Sequence, residues 1–174
     1  MAKIMMKNVR LSFPSLFSPA TFNGEATKYE ATMLINKQTQ AELLDKLQDE
    51  IERLVKDNLK GVMPKPDKIA LKDGDGVEYD GYEGHMSLKA SNKTRPTVID
   101  RDKSPLTEAD GRPYAGCYVN AVVEGWVQNN SFGKRVNFNL LGIQFVKDGD
   151  RFGSGGVASA DEFDDLGEGE DPFA

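Results

Sequence analysis

The chain has 174 residues, of which 39% are hydrophobic, and its 28 acidic and 22 basic residues give a net charge of −6 at pH 7. This length supports one sizeable hydrophobic core and predicts a single folded domain. The apolar stretches are far shorter than the roughly 20 residues that a membrane helix needs, and the first ten residues lack the apolar run of a secretory signal. A lone cysteine, Cys117, excludes an internal disulfide and fits a cytoplasmic protein.

Two strands are predicted near the start of the chain. Residues 3–12 alternate between polar and apolar, with a change of parity at Lys7 and Asn8 that indicates a bulge. Residues 13–24 contain prolines, a glycine and three phenylalanines, which is typical of a loop with an unusual density of rings. Residues 28–36 alternate cleanly and predict the second strand.

A long amphipathic helix is predicted next. Thr39 and Glu42 have the spacing of a capping box, and apolar residues recur at helical spacing over residues 43–59. Gly61 and Pro64 are expected to end the helix.

An acidic, glycine-rich stretch follows at residues 73–80. Calcium binding is one interpretation of its carboxylates, and a solvated turn is the other. Val77 stands where a third ligand is expected and no glutamate closes the loop, so the spacing favours the turn and no metal site is predicted.

The remaining strands are shorter at first and then longer. Two short strands are predicted at residues 85–91 and 96–100. Two longer strands are predicted at residues 117–127 and from Arg135 to residue 145, and a turn at 128–134 joins them. A bulge is expected near Gly142 in the last strand.

This order of elements predicts a mainly β fold with one long amphipathic α-helix between early strands. A small closed β-barrel of the oligonucleotide-binding (OB-fold-like) type fits it, and a β-sandwich with one helix fits the same periodicities. The predicted domain covers residues 1–151. Residues 152–174 are expected to be a disordered glycine-rich linker and an acidic C-terminal tail.

Catalytic patterns are few. With one histidine, His85, and one cysteine the chain cannot build a multi-histidine or multi-thiolate metal site, and it lacks phosphate-loop, nucleophile-elbow and dinucleotide motifs. Cys117 lies on the apolar face of a predicted strand and is expected to be a buried structural thiol. We therefore expect neither an enzyme nor a cofactor.

Basic residues accumulate among aromatic ones, which is the combination that single-strand binders use: cations follow phosphates and rings stack on bases. The alternative is that the lysines only face water and the rings only pack in the core. The candidates for phosphate contacts are Lys89, Lys93, Arg95, Lys134 and Arg135. The candidates for stacking are Phe13, Phe17, Tyr82, Tyr114, Tyr118 and Trp126.

The chain resembles the single-stranded DNA-binding proteins of tailed bacteriophages, an OB-fold family. The matching stretches are NVRLSFP at 8–14, KY at 28–29 before the helix, YEGH at 82–85, RP at 95–96, YVNA at 118–121, and QFV at 144–146 before Asp148 and Gly149. The resemblance implies a protein that coats single-stranded DNA with little sequence preference during phage replication or recombination, in the host cytoplasm.

The C-terminal tail supports this resemblance. Seven of the acids lie after residue 160 and no base follows Arg151, which leaves 21 acids against 22 bases before the tail. Similar proteins end in an acidic segment with a terminal aromatic that docks onto basic pockets of replication and repair proteins. This chain departs from them by placing Ala174 after the ring. The implied partner-binding residues here are Asp164, Asp165, Glu170, Asp171 and Phe173.

Physically, such a tail is expected to occupy the cationic surface while DNA is absent. Two rival functions fit the residues: an RNA-binding or nucleic-acid chaperone, and a structural or assembly protein whose acidic tail binds a basic partner. A homodimer is left open.

Overall fold

The computed structural model describes residues 3–22 and 24–152, together with Asp164 and Leu166. Within these residues the strands are β1 (Lys3–Ser15), β2 (Thr21–Phe22), β3 (Glu25–Ala26), β4 (Tyr29–Asn36), β5 (Leu71–Asp73), β6 (His85–Asn92), β7 (Thr97–Ile99), β8 (Tyr118–Asn130) and β9 (Gly133–Lys147), and the helix α1 (Ala41–Asn58) lies between β4 and β5. None of the described helices is long and apolar enough to span a bilayer.

Five strands close into a barrel. The order is β6-β4-β1-β8-β9, and β9 pairs with β6 in parallel at Ser91 and Asn139, so the hydrogen bonding returns to its starting strand. Asn92 strengthens this seam because its Nδ2 donates to the Leu140 carbonyl at 3.1 Å. Strands β5 and β7 extend the sheet from β6 and β9. The predicted OB-like barrel is therefore confirmed and the sandwich alternative is excluded.

The core is formed by the inward residues of the five barrel strands and one face of α1. Alternate residues of β8, from Val119 to Val123, are fully buried, as the period-two pattern predicts. On α1 the buried apolar residues are Leu47, Ile51, Leu54 and Val55. The helix approaches β8 closely at Gly125, where a Cβ atom would lie 2.7 Å from the Leu54 side chain.

Both predicted bulges are present. In β1 the register shifts between Met6 and Val9, and Asn8 adopts a left-handed φ of 54°. In the β8–β9 pair, Val122 opposes Gly142 and Val123 opposes Leu140. One extra residue of β9 is therefore accommodated beside Gly142.

The start of the helix differs from the prediction. Gln40 is the N-cap residue and its side chain makes no capping hydrogen bond, so Thr39 and Glu42 do not form a capping box. Asn36 orders the preceding turn instead, because its Oδ1 accepts from the backbone N–H groups of Gln38 and Thr39. This local side-chain turn leaves Thr39 outside the helix.

Two predicted loops are shorter than expected. Strand β1 continues through Phe13 to Ser15, and the β8–β9 hairpin stays paired up to Asn130 and Gly133. Only Ser131 and Phe132 form the turn, so the hairpin is a long two-stranded arm with Phe132 exposed at its tip.

Leu54→Ala tests the packing of α1 on the barrel. Removing this fully buried side chain beside Gly125 should lower the free energy of unfolding by about 3 kcal/mol. The exposed Val62→Ala change is the matched control and should stay within about 0.5 kcal/mol of the parent chain. Equal losses in urea unfolding would contradict the packing of the helix described here.

Candidate nucleic-acid interface

A groove crosses the outer face of the barrel over β4, β6 and β9. Its volume is about 590 Å³. On β4, β6 and β9 the polar lining residues alternate with core residues, so these polar side chains point away from the barrel interior. The groove is lined by Phe13, Glu30, Thr32, Asp67, Lys68, Ile69, Ala70, Lys72, Tyr79, Tyr82, Ser87, Lys89, Ser91, Arg135, Asn137 and Phe138.

Four cations and two acids border this groove. Lys89 forms an ion pair with Glu30 at 3.1 Å, and Lys68 lies 3.9 Å from Asp67. Lys72 and Arg135 form no ion pair with any carboxylate in the described part of the chain. The groove therefore presents a net positive surface, as phosphate binding requires, although the body as a whole is almost neutral.

Two exposed rings stand at one side of the groove. Phe13 and Tyr79 are 56% and 57% exposed, and their rings meet edge to face with centroids 4.9 Å apart. Exposed aromatic faces beside cations are the arrangement on which unpaired bases stack. The second ring, Tyr79, belongs to the acidic stretch and was not predicted.

Phe13 reaches this position through an irregular backbone. Its φ is +46°, in the left-handed region that non-glycine residues rarely adopt, and the β1–β4 register shifts between Ser12 and Ser15. A bulge of this kind re-aims a side chain. Here it turns the ring of Phe13 out of the strand and toward solvent.

Tyr82 supports the exposed pair from below. Only 5% of it is exposed, its ring lies 5.4 Å from that of Tyr79, and its hydroxyl shares a 3.0 Å hydrogen bond with the Ser12 hydroxyl. Burial raises the pKa of the Tyr82 hydroxyl, which therefore stays protonated at neutral pH. Tyr82, one of the predicted stacking residues, lines the groove, but its ring is too enclosed to stack fully on a base.

The loop that carries Tyr79 and Tyr82 is fixed at its base by charge. Lys37 Nζ contacts Asp73 at 2.7 Å and Asp75 at 2.6 Å, and Asp75 Oδ1 accepts from the Gly84 N–H at 2.7 Å. We call these three side chains the Lys37 clamp. Two carboxylates of the acidic stretch, Asp73 and Asp75, thus neutralise a lysine and shape the loop.

Three predicted cations lie outside the groove lining. Lys93 and Arg95 are exposed in the β6–β7 loop, where the Arg95 guanidinium lies 5.5 Å from the Phe17 ring centroid. Lys134 is exposed at the tip of the β8–β9 arm, two residues from Phe132, which is 84% exposed. Lys89 and Arg135 line the groove itself.

The other predicted rings divide into two groups. Phe17 is half-buried beneath Arg95, and Trp126 lies opposite Asn137, which lines the groove. Tyr114 and Tyr118 lie elsewhere: the Tyr114 hydroxyl donates to Asp148 at 2.6 Å, and the Tyr118 ring lies near the side-chain cation of Lys147, 4.8 Å from its centroid. Phe13 and Tyr79 are therefore better placed for stacking than Tyr114 or Tyr118.

Lys68, Lys72 and Tyr79 were missed from the sequence. Lys72 joins the groove because Lys72 in β5 pairs with Ser87 in β6, a non-local register that no local pattern encodes. Tyr79 is flanked by Glu78 and Asp80 in the chain, so no local pattern indicated its contact with Phe13. The signal in the sequence was a second aromatic residue, beside Tyr82, in a loop rich in acids and glycines.

Nothing in the described residues forms a cluster of three or more metal-ligating side chains. Cys117 is fully buried, and burial raises the pKa of its thiol to about 11, so it is not a nucleophile at neutral pH. Of the predicted partner-binding residues, only Asp164 is described, and it is exposed. Asp165, Glu170, Asp171 and Phe173 lie outside the described residues.

Comparisons with known proteins identify the family of the chain. The family described as "Enterobacter phage Enc34, ssDNA-binding protein" matches residues 2–173. A relative named "Putative protein p50", from Acyrthosiphon pisum secondary endosymbiont phage 1, is 49% identical over 94% of both chains.

Solved structures resemble the fold. The single-stranded DNA-binding protein from bacteriophage Enc34 in complex with single-stranded DNA has a TM-score of 0.80 and 32% identity, covering 87% of this chain and 89% of that chain. The structure of the same Enc34 protein without DNA has a TM-score of 0.79 and 34% identity, covering 93% of this chain and 90% of that chain. The single-stranded DNA-binding protein gp2.5 of bacteriophage T7 has a TM-score of 0.55 at 10% identity, covering 91% and 98%, which is a likeness of fold alone.

The Lys37 clamp has a defined pH dependence. Hydrogen bonds from Lys37 and the backbone hold the pKa values of Asp73 and Asp75 below their ordinary value. The stabilisation is therefore complete above the unfolded carboxyl pKa of about 4 and is lost as the pH falls through the lower folded values. Urea unfolding of the parent chain and of Lys37→Met should differ by a constant amount from pH 5 to 8, and this difference should shrink below pH 4.

The exposed Lys60→Met change is the matched control for the loss of one positive charge. A stability difference between parent and Lys37→Met that does not change with pH would contradict the clamp.

Proposed function

Because the chain belongs to the family of the phage Enc34 single-stranded DNA-binding protein, we propose that it binds single-stranded DNA along the outer groove with little sequence preference. The observation that carries this proposal is the exposed Phe13–Tyr79 pair beside Lys72, Lys89 and Arg135. The family consists of binding proteins, and membership in it confirms the expectation that the chain is not an enzyme.

In this proposal the DNA backbone follows the cations of the groove. Phosphates contact Lys68, Lys72, Lys89 and Arg135, and a strand that continues past the groove meets Lys93 and Arg95 in one direction or Lys134 on the β8–β9 arm in another. Lys89 is paired with Glu30 at 3.1 Å, so a phosphate at Lys89 has to replace this carboxylate as the partner of the lysine.

Bases are held by stacking in this proposal. Phe13 and Tyr79 offer exposed ring surface, and Trp126 and Phe17 lie within the same outer region. A ring stacks on any base, at about 1–3 kcal/mol each, so binding of this kind does not select a sequence. This matches a protein that coats DNA exposed by replication or recombination in the host cytoplasm.

We further propose that residues 153–174 are a linker and an acidic tail. The proposed domain boundary lies one residue later than predicted from the sequence, because the Phe152 N–H donates to the Ala115 carbonyl. The supporting observation is the charge: no base follows Arg151 and seven acids follow residue 160. Such a segment is suited to compete with DNA for the cationic groove and, once displaced, to recruit replication or recombination proteins through Asp164, Asp165, Glu170, Asp171 and Phe173.

Lys89→Ala and Arg135→Ala test the groove. Each change should weaken binding to oligo-dT and, by removing about one phosphate contact, should reduce the slope of log K against log salt by about 0.7. The measurement is fluorescence anisotropy of a labelled oligonucleotide over a salt series. Lys56→Ala, on the exposed face of α1, is the control and should leave the slope unchanged. The same slope for all four proteins would place the binding surface elsewhere.

A truncation ending at Ala160 tests the tail. It should bind oligo-dT more tightly than the full chain at low salt, and the two affinities should converge as salt screens the tail charges. A full-length variant with the seven tail acids changed to their amides keeps the length and removes the charge, so it should behave as the truncation does. Identical affinities of truncated and full-length protein across the series would remove the competition from the proposal.

A further inference from the structure

The segment after β9 folds back against the barrel and ends on the loop that carries Tyr79. The Phe152 N–H donates to the Ala115 carbonyl at 3.0 Å, and the Phe152 ring lies against Gly81. A Cβ atom at Gly81 would stand 2.4 Å from that ring, and Gly81 has a φ of +82°. The contact therefore requires glycine on the loop side.

Arg10 holds the segment in place. Its guanidinium lies 4.2 Å from the Phe152 ring centroid, its Nη2 donates to the Asp150 carbonyl at 2.8 Å, and its Nε donates to the Gly116 carbonyl at 3.1 Å. Gly116 also permits close approach, because a Cβ atom there would lie 2.0 Å from the Asp150 carbonyl oxygen. Residues 148–152, which we call the C-terminal strap, are thus tied to β1 and to the start of β8.

The strap and the exposed ring pair share one strand and one loop. Arg10 lies three residues before Phe13 on β1, and Gly81 lies two residues after Tyr79. Phe13, Tyr79 and Phe152 also line one cleft of about 440 Å³, which adjoins the groove on the other side of the ring pair. Tyr79 is thus held by Phe13 on one side, while Phe152 fixes the loop just beyond it.

From this geometry we infer that Phe152 is a positioning residue for DNA binding: it holds the Tyr79 loop in the conformation that presents the ring to a base. This inference rests on the proposed function. Phe152 itself lies on the far side of Tyr79 from the groove and lines none of it. It acts by restricting the loop before binding, because a ring that is already ordered loses less conformational freedom when a base stacks on it.

The Lys37 clamp and Phe152 hold the Tyr79 loop at two different places. The Lys37 clamp holds its base at Asp73 and Asp75, whereas Phe152 holds it at Gly81, close to the ring that is used. The base of the loop therefore stays closed when the strap is removed, and the loss is confined to the part that carries Tyr79.

Phe152→Ala should weaken binding to oligo-dT by about 2- to 10-fold, which corresponds to the cost of ordering one side chain. Phe152→Tyr keeps the ring and should restore the parent affinity. Hydrogen exchange should become faster at residues 76–82 and remain unchanged at β4 and β8. Ile51→Ala controls for lost stability, because Ile51 is a buried residue of α1 that lines neither the groove nor the cleft, and it should leave the affinity unchanged below its unfolding temperature.

A double-mutant cycle with Tyr79→Ala decides between positioning and a general structural role. If Phe152 acts through Tyr79, Phe152→Ala should weaken binding when Tyr79 is present and leave it unchanged when Tyr79 is alanine. Equal weakening in both backgrounds, or no effect of Phe152→Ala in a protein whose Tyr79→Ala variant binds less tightly, would overturn the inference. Absence of oligo-dT binding by the parent chain would instead overturn the proposed function.

Discussion

The parallel pairing of β6 with β9 is the contact on which the rest of this structure depends. It joins the third barrel strand to the last, with Ser91 opposite Asn139 and with Asn92 bridging to Leu140. Closure gives the barrel an inside, where alternate residues form one core, and an outside, where the intervening residues of the two strands come together. Lys89 and Arg135 are 46 positions apart in the sequence, yet both line one groove because their strands are neighbours at this seam. If the sheet were open between β6 and β9, both side chains would still be present but would no longer line one groove.

Prediction from sequence succeeded where structure follows from neighbouring residues. The amphipathic pattern of α1, the alternation in β8 and the parity changes at Asn8 and Gly142 are local signals, and each appears in the structure as predicted. The capping box failed for a local reason too: Asn36 offered a competing hydrogen-bonded turn. Lys72 and Tyr79 could not be found because their places depend on the β5–β6 register and on a loop that returns to β1. For Tyr114, the missing information was its partner, since Asp148 lies 34 residues away.

Electrostatics here is a matter of placement more than of total charge. With 21 acids against 22 bases before the tail, the net charge of the folded body is close to zero and contributes almost nothing to the attraction of DNA. The loop acids Asp73 and Asp75 form ion pairs with Lys37. Lys72 and Arg135 form no ion pair with a carboxylate in the described residues. Pairing acids with a lysine outside the groove thus leaves the groove cations available. Salt-dependent binding can arise from such a local imbalance in a chain that is acidic overall.

The backbone at Phe13 has a consequence for how this protein tolerates change. A left-handed φ of +46° suits glycine or asparagine better than phenylalanine, so the residue that offers its ring to solvent also carries conformational strain. Stability and ligand contact therefore make opposite demands on a single position. A library selected only for resistance to heat should discard the aromatic ring there, whereas selection for retention on single-stranded DNA should keep it.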